Sequence, residues 1–137
     1  MENQEKEKEN QQELMFKFQM FEQQIQGIQQ QLQAVESAIA DMESLHVDLE
    51  SLKGKKDTEI KASIGKGIFA DAKLISEELT VDIGGKNLVK KSIPETQEII
   101  KKQVEKLNDV KEELEKAMQQ INEELTSTMM AYQEKAK

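Results

Sequence analysis

From Leu14 onward one stripe of positions recurs in steps of four and three: Leu14, Phe18, Phe21, Ile25, Ile28, Leu32, Val35, Ile39, Met42, His46 and Leu49. The mean step of 3.5 residues keeps a single seam facing a partner helix, which is the left-handed coiled-coil pattern. Leu45 and Leu52 widen the stripe near its end, and Lys53-Gly54-Lys55-Lys56-Asp57 punctuates it. Lysines suit the negative end of a helix, and glycine suits the left-handed turn that follows one. A second seam comprises Ile93, Ile100, Leu107, Leu114, Ile121 and Thr128, with Val104, Val110, Ala117, Met118, Leu125 and Tyr132 on its flanks. Ser92 and Glu95 stand at capping-box spacing at its start, with Pro94 in the first turn.

Between the arms the period changes to two. Glu59 to Ile64 alternates polar and apolar, Gly65-Lys66-Gly67 follows, and Ile68 to Leu74 continues. Ile75-Ser76-Glu77 breaks the run, Glu78 to Ile83 alternates again, and Gly84-Gly85 turns the chain into Lys86 to Lys91. Alternation broken by glycine turns predicts four short strands in two β-hairpins. The expected fold is therefore α+β and mostly α: a long antiparallel helical coiled coil with two central β-hairpins. Residues 1–12 form a flexible lead and 13–54 the first coiled-coil helix. Residues 55–91 form the hairpins and 92–137 the second helix. Each arm is about 60 Å long at 1.5 Å per residue, so equal arms fold back on each other. That places Leu14 to Phe21 beside Leu125 to Tyr132.

Two isolated hairpins are marginal in water, and their outer strands carry unpaired backbone groups. The hairpins are thus expected to join other chains. Ile60, Ala62, Ile64, Phe69, Ala72, Val81, Ile83, Leu88 and Val89 are the candidate assembly residues.

Composition narrows the function. The chain has 137 residues, 34% of them charged, and a net charge of −8. All 19 basic residues are lysines. Without arginine or net positive charge, nucleic-acid binding is disfavoured. There is no cysteine and one histidine, so neither a metal site nor a cofactor is expected. His46 lies on the seam, where a polar residue can set register. Gly65-Lys66-Gly67 and Gly84-Gly85-Lys86 lie between strands and read as turns. A phosphate loop would open a helix. Carboxylates interleave with lysines, as in Glu98–Lys102 and Glu112–Lys116, which is helix support and not acid–base chemistry. No catalytic residue is indicated. No apolar run approaches a membrane span, and the N-terminus is polar, which predicts a soluble cytoplasmic protein without membrane attachment.

The remaining signal is apolar and off the seam. Met15, Phe16 and Met20 do not fit the first stripe, and Met129 and Met130 fall near the predicted neighbour segment. Exposed apolar clusters mark contact sites, and methionine adapts to varied partners. The candidate contact set is Leu14, Met15, Phe16, Phe18, Met20, Phe21, Met129, Met130 and Tyr132. Leu14, Phe18 and Phe21 also serve the seam.

The order of arm, two hairpins and arm resembles the alpha subunit of prefoldin, in its archaeal form. Ala62 to Leu74 is similar to that family's first hairpin and Thr80 to Lys86 to its second. Two departures stand out. The glycines at 84 and 85 are contiguous, and Ala62-Ser63 replaces a Val-Pro pair. The resemblance implies a hetero-hexamer of two alpha and four beta subunits whose hairpins join an inter-subunit β-barrel. It also implies a co-chaperone that needs no ATP. Its coiled-coil tips hold unfolded polypeptides and pass them to a group II chaperonin. The competing expectation is a structural coiled-coil protein, a filament former or spacer, assembled through the same hairpins.

Overall fold

The computed structural model describes residues 2–136. Helix α1 spans Glu2–Leu52 and helix α2 spans Ile93–Ala136. Between them lie β1 (Glu59–Gly65), β2 (Ile68–Lys73), β3 (Glu78–Asp82) and β4 (Leu88–Ser92). The fold is the mostly helical α+β arrangement that the two periodicities predict. The chain forms two compact units. One is Ala38–Leu107; the other joins Met1–Ser37 to Asn108–Lys137.

The hairpin-bearing unit holds the buried core. Ile93, Ile100 and Leu49 are its buried apolar side chains, with Ile93 only 2% exposed. Met42, Leu52, Leu79 and Val104 pack against them. Leu79 thus carries β3 onto the paired helices. Just past the end of helix α1 comes Gly54, whose φ of 74° is left-handed and strained for any residue with a Cβ. Its amide donates to the Glu77 carboxylate. The Asp57 amide donates to the Leu74 carbonyl at 2.6 Å, and Leu74 donates back to Thr58 at 3.0 Å, which prolongs the first hairpin's ladder.

The pairing fixes which side chains share a face. Ile60 faces Ala72 and Ala62 faces Ala70, with a register shift between Ser63 and Gly65. Leu79 faces Lys91 and Val81 faces Val89. The two turns are Lys66-Gly67 and Gly85-Lys86, all four residues at positive φ, as hairpin turns of right-twisted strands require. The second is longer than the alternation suggests. Ile83 donates to Asn87 at 3.0 Å and Asn87 to Gly84 at 3.1 Å, so β4 begins at Leu88.

Strand β4 runs directly into α2 through the capping box. The Glu95 amide donates to the Ser92 hydroxyl at 3.2 Å, and the Ser92 amide donates to the Glu95 carboxylate at 3.3 Å. Donation from the Ser92 hydroxyl, and then from the Ser92 amide, holds the Glu95 carboxyl below the ordinary glutamate range. One turn on, Gln97 is 7% exposed. Its Nε2 donates to the Glu50 carboxylate at 2.7 Å and to the His46 carbonyl at 3.4 Å. The Gln97 bond, then Lys53, hold the Glu50 carboxyl below its ordinary range. A buried amide reaching one acceptor on the neighbouring helix disfavours sliding, because a slip would leave it unpartnered.

In the other unit the same helices run antiparallel. Leu14 and Lys17 lie beside Thr128 and Tyr132, Gln24 and Ile28 beside Ala117 and Ile121, and Glu36 reaches Lys111 at 3.6 Å. Every residue of the first seam is at least half-buried, from Leu14 to Leu49.

The sign of a pH effect tests the amide link. In the wild type, stability due to Glu50 is present above the ordinary glutamate range and lost as pH falls through its lowered folded value. In Gln97→Glu two carboxylates face each other, so one is pushed toward its neutral form. The variant's melting temperature should be a few degrees lower at pH 7. The deficit should shrink as pH drops toward 4. An equal deficit at both pH values would exclude the link.

Candidate functional site

Two apolar surfaces are candidates for contact. The first is on the unit formed by the chain's outer helix segments. Met15 and Phe16 are 62% and 63% exposed, Met130 is 62% exposed, and Met20 and Met129 are also exposed. Leu14, Phe18 and Phe21 are half-buried in the seam, where they hold the segment in place. Tyr132 lies at the margin between the two classes. Residues 10–21 of α1 run beside 124–132 of α2 in this unit. The structure therefore puts Met15, Phe16, Met20, Met129 and Met130 on two adjacent segments.

The second surface is on the hairpins. Both sheets have two strands, so all four strands are edges. Along each outer edge the backbone donors and acceptors have no ladder partner within the sheet. Ile60, Ala62, Ala72, Val81 and Val89 are half-buried, on the faces set by the pairing. Ile64, Phe69, Ile83 and Leu88 are exposed near the turns, Ile64 at 70%. Phe69 faces Ser63 and Leu88 faces Asp82, opposite to the half-buried faces.

Sequence reasoning missed two members of this surface. Ile68, next to the first turn, is 59% exposed, and Ile75, in the link between hairpins, is 78% exposed. Ile68 follows a turn glycine and could have been counted with Phe69. Ile75 carried no periodic signal. In the helices, Gln97 and Lys111 take inward positions that an apolar count passes over. Val110, placed on the flank of the second seam, is 43% exposed. Its neighbour Lys111 turns inward to Glu36. Glu112 and Lys116 pair at 3.7 Å.

Among the described residues, no cluster of three or more histidine or acidic side chains is placed to hold a metal ion. No helix among them is long and apolar enough to cross a membrane. The helix surface offers apolar area, and the hairpins offer apolar area with strand edges that have no ladder partner within their sheets.

A family model described as Prefoldin subunit matches residues 21–137. No curated protein matches the chain. Among solved structures the chain is similar to filamentous PFD from Methanocaldococcus jannaschii, solved by cryo-EM. The identity is 17%, and the match covers 83% of this chain and 96% of that one, with a TM-score of 0.74. At that identity the likeness is one of fold.

The exposed hairpin residues touch little of their own chain, so the fold should not need them. Ile64→Ser with Phe69→Ser should leave the unfolding free energy of the isolated chain within about 0.5 kcal/mol of wild type, as for other surface positions. A larger loss in a denaturant titration would show that these side chains are part of the chain's own core.

Proposed function

The chain belongs to the prefoldin family, and from that premise we propose that it is an alpha-type, two-hairpin subunit of an ATP-independent, non-enzymatic co-chaperone. It acts in the cytoplasm and assembles as two alpha and four beta subunits. The complex holds unfolded or nascent chains and delivers them to a group II chaperonin. Two hairpins rather than one support the alpha assignment. Unpaired edges on all four strands support assembly by strand addition. The proposed assembly residues are Ile60, Ala62, Ile64, Phe69, Ala72, Val81, Ile83, Leu88 and Val89.

The observation that carries the client-binding reading is the exposure of Met15, Phe16, Met20, Met129 and Met130 on neighbouring helix segments. A protein that keeps thioethers and a phenyl ring in water presents a soft apolar surface to partners of varied shape. Leu14, Phe18, Phe21 and Tyr132 complete the surface. Unfolded chains are the partners that expose matching apolar groups, and holding them opposes aggregation.

Changing Met15, Phe16 and Met20 together to serine tests this. The variant should assemble and melt as the wild type does. The concentration needed to half-suppress aggregation of a denatured client should rise roughly tenfold, the equivalent of about 1.4 kcal/mol of lost contact. Unchanged suppression would remove these residues from the site.

Light scattering addresses the assembly. A closed hexamer formed only with a single-hairpin partner subunit is expected. Open-ended growth of the chain alone would instead establish a filament former.

A further inference from the structure

The exposed methionines do not stand alone. Three hollows between α1 and α2 join end to end in the same unit. The first lies among Leu14, Lys17, Thr128 and Tyr132. The next, of about 670 Å³, shares Lys17 and Thr128 with it and adds Met20, Phe21, Gln24 and Gln120. The third, of about 420 Å³, shares Gln24 and Gln120 and adds Gly27, Ile28, Gln31 and Ala117. Together they make one continuous groove. Residues 10 to 31 span about 32 Å along a helix, the length of about nine extended residues.

The chemistry of the walls changes along it. Leu14, Met20, Phe21 and Tyr132 are the apolar members of one stretch, whose rim also carries Glu13, Lys17, Glu123 and Glu124, and glutamine carboxamides line the other. Charge is scarce at that second stretch. In a chain that is 34% charged, residues 23–35 of α1 and 117–122 of α2 carry no charged side chain. Each carboxamide offers both donors and an acceptor. Gly27 sits within the amide stretch. A glycine inside a helix weakens it relative to alanine, and close packing is the usual reason to keep one. Here a Cβ at position 27 would meet nothing within 4 Å. The missing side chain leaves the groove open and fits no neighbour.

We infer that this groove, and within it the segment of Gln24, Gly27, Gln31 and Gln120, binds the backbone of an extended, unfolded polypeptide while the apolar stretch takes its side chains. The inference rests on the client-binding reading above. An unfolded chain presents unpaired amides along its length and apolar side chains at intervals. A groove with carboxamides in line with thioether and phenyl groups matches both. A folded partner has spent its amides, and a charged ligand finds few countercharges in the amide stretch. Backbone recognition is also indifferent to client sequence.

The test uses the full chain assembled with a single-hairpin partner subunit and a reduced, carboxymethylated lactalbumin as the permanently unfolded probe, with binding read by fluorescence anisotropy. Gln24→Ala, Gln31→Ala and Gln120→Ala together should weaken binding about tenfold, the worth of one or two hydrogen bonds. Alanine favours the helix, so the melting temperature should not fall. Gly27→Leu fills the groove from a position with free space, and should weaken binding by a similar factor while the melting temperature holds or rises. If both variants bind as the wild type does while Met15→Ser/Phe16→Ser, outside the groove, binds less, the groove proposal is overturned and the client-binding reading stands. If the wild type does not bind the probe, both fall together.

Discussion

Two helices lying side by side can shield only one stripe of each other, and the rest of this structure follows from that limit. The seam residues from Leu14 to Ile39 are half-buried, since a two-helix contact leaves their outer flanks in water. Full burial is reached where further elements arrive. Leu79 of the second hairpin and Leu52 at the end of α1 close over Ile93, Ile100 and Leu49. Those three are the buried apolar side chains among the described residues. So small a core leaves apolar surface and strand edges exposed, and these gain most from other polypeptides.

Register matters more in such a pair than in a thick core. A seam of Leu, Ile and Val tolerates a one-heptad slip with little change in apolar contact. The Gln97 carboxamide does not, because it would lose the Glu50 carboxylate and the His46 carbonyl at once. The Lys111–Glu36 pair adds a second, weaker mark on the other unit, exposed enough that its value lies in alignment more than in stability. Next to the amide link, the capping box turns β4 into α2 without a loop. The same few residues thus set where the second hairpin stands and how the helices align.

Most of this could be read from the chain, because its periodicities are long and clean. The first seam is half-buried or buried at every position named from the pattern, including His46. The first three strands, both glycine turns and the Ser92–Glu95 cap are also where the alternation and the cap spacing put them, while β4 starts two residues later than the alternation suggests. What was not legible has one cause. A reading that counts apolar residues cannot see a polar side chain that points inward because its partner waits there. Gln97 is of that kind; Lys111 is a milder case, half-buried with its ammonium on the exposed Glu36, while its neighbour Val110, read as a flank residue, is 43% exposed. The helix-end candidates were legible for a complementary reason: Met15, Phe16 and Met20 fall off the stripe, and off-stripe residues stay in water. Which hairpin residues face outward was not legible, since alternation gives two faces and does not say which is covered. The pairing settles it, leaving Phe69 and Leu88 on the open side.

On the proposed reading, the two exposed surfaces depend on each other energetically. A fully buried methionine or phenylalanine side chain contributes about 1.5–3 kcal/mol, and a groove open on one side covers only part of each. One pair of helices therefore grips weakly, which lets a client leave without ATP. Weak grips become effective when several are held near one another, since each later contact forms at a high effective concentration. The unpaired strand edges are what would bring the grips together. A tighter individual site would hold clients longer but would then need an energy source to release them. Soft thioethers and uncharged carboxamides on a chain that is otherwise one-third charged fit that compromise: enough attraction to add up across subunits, too little to trap a client on one.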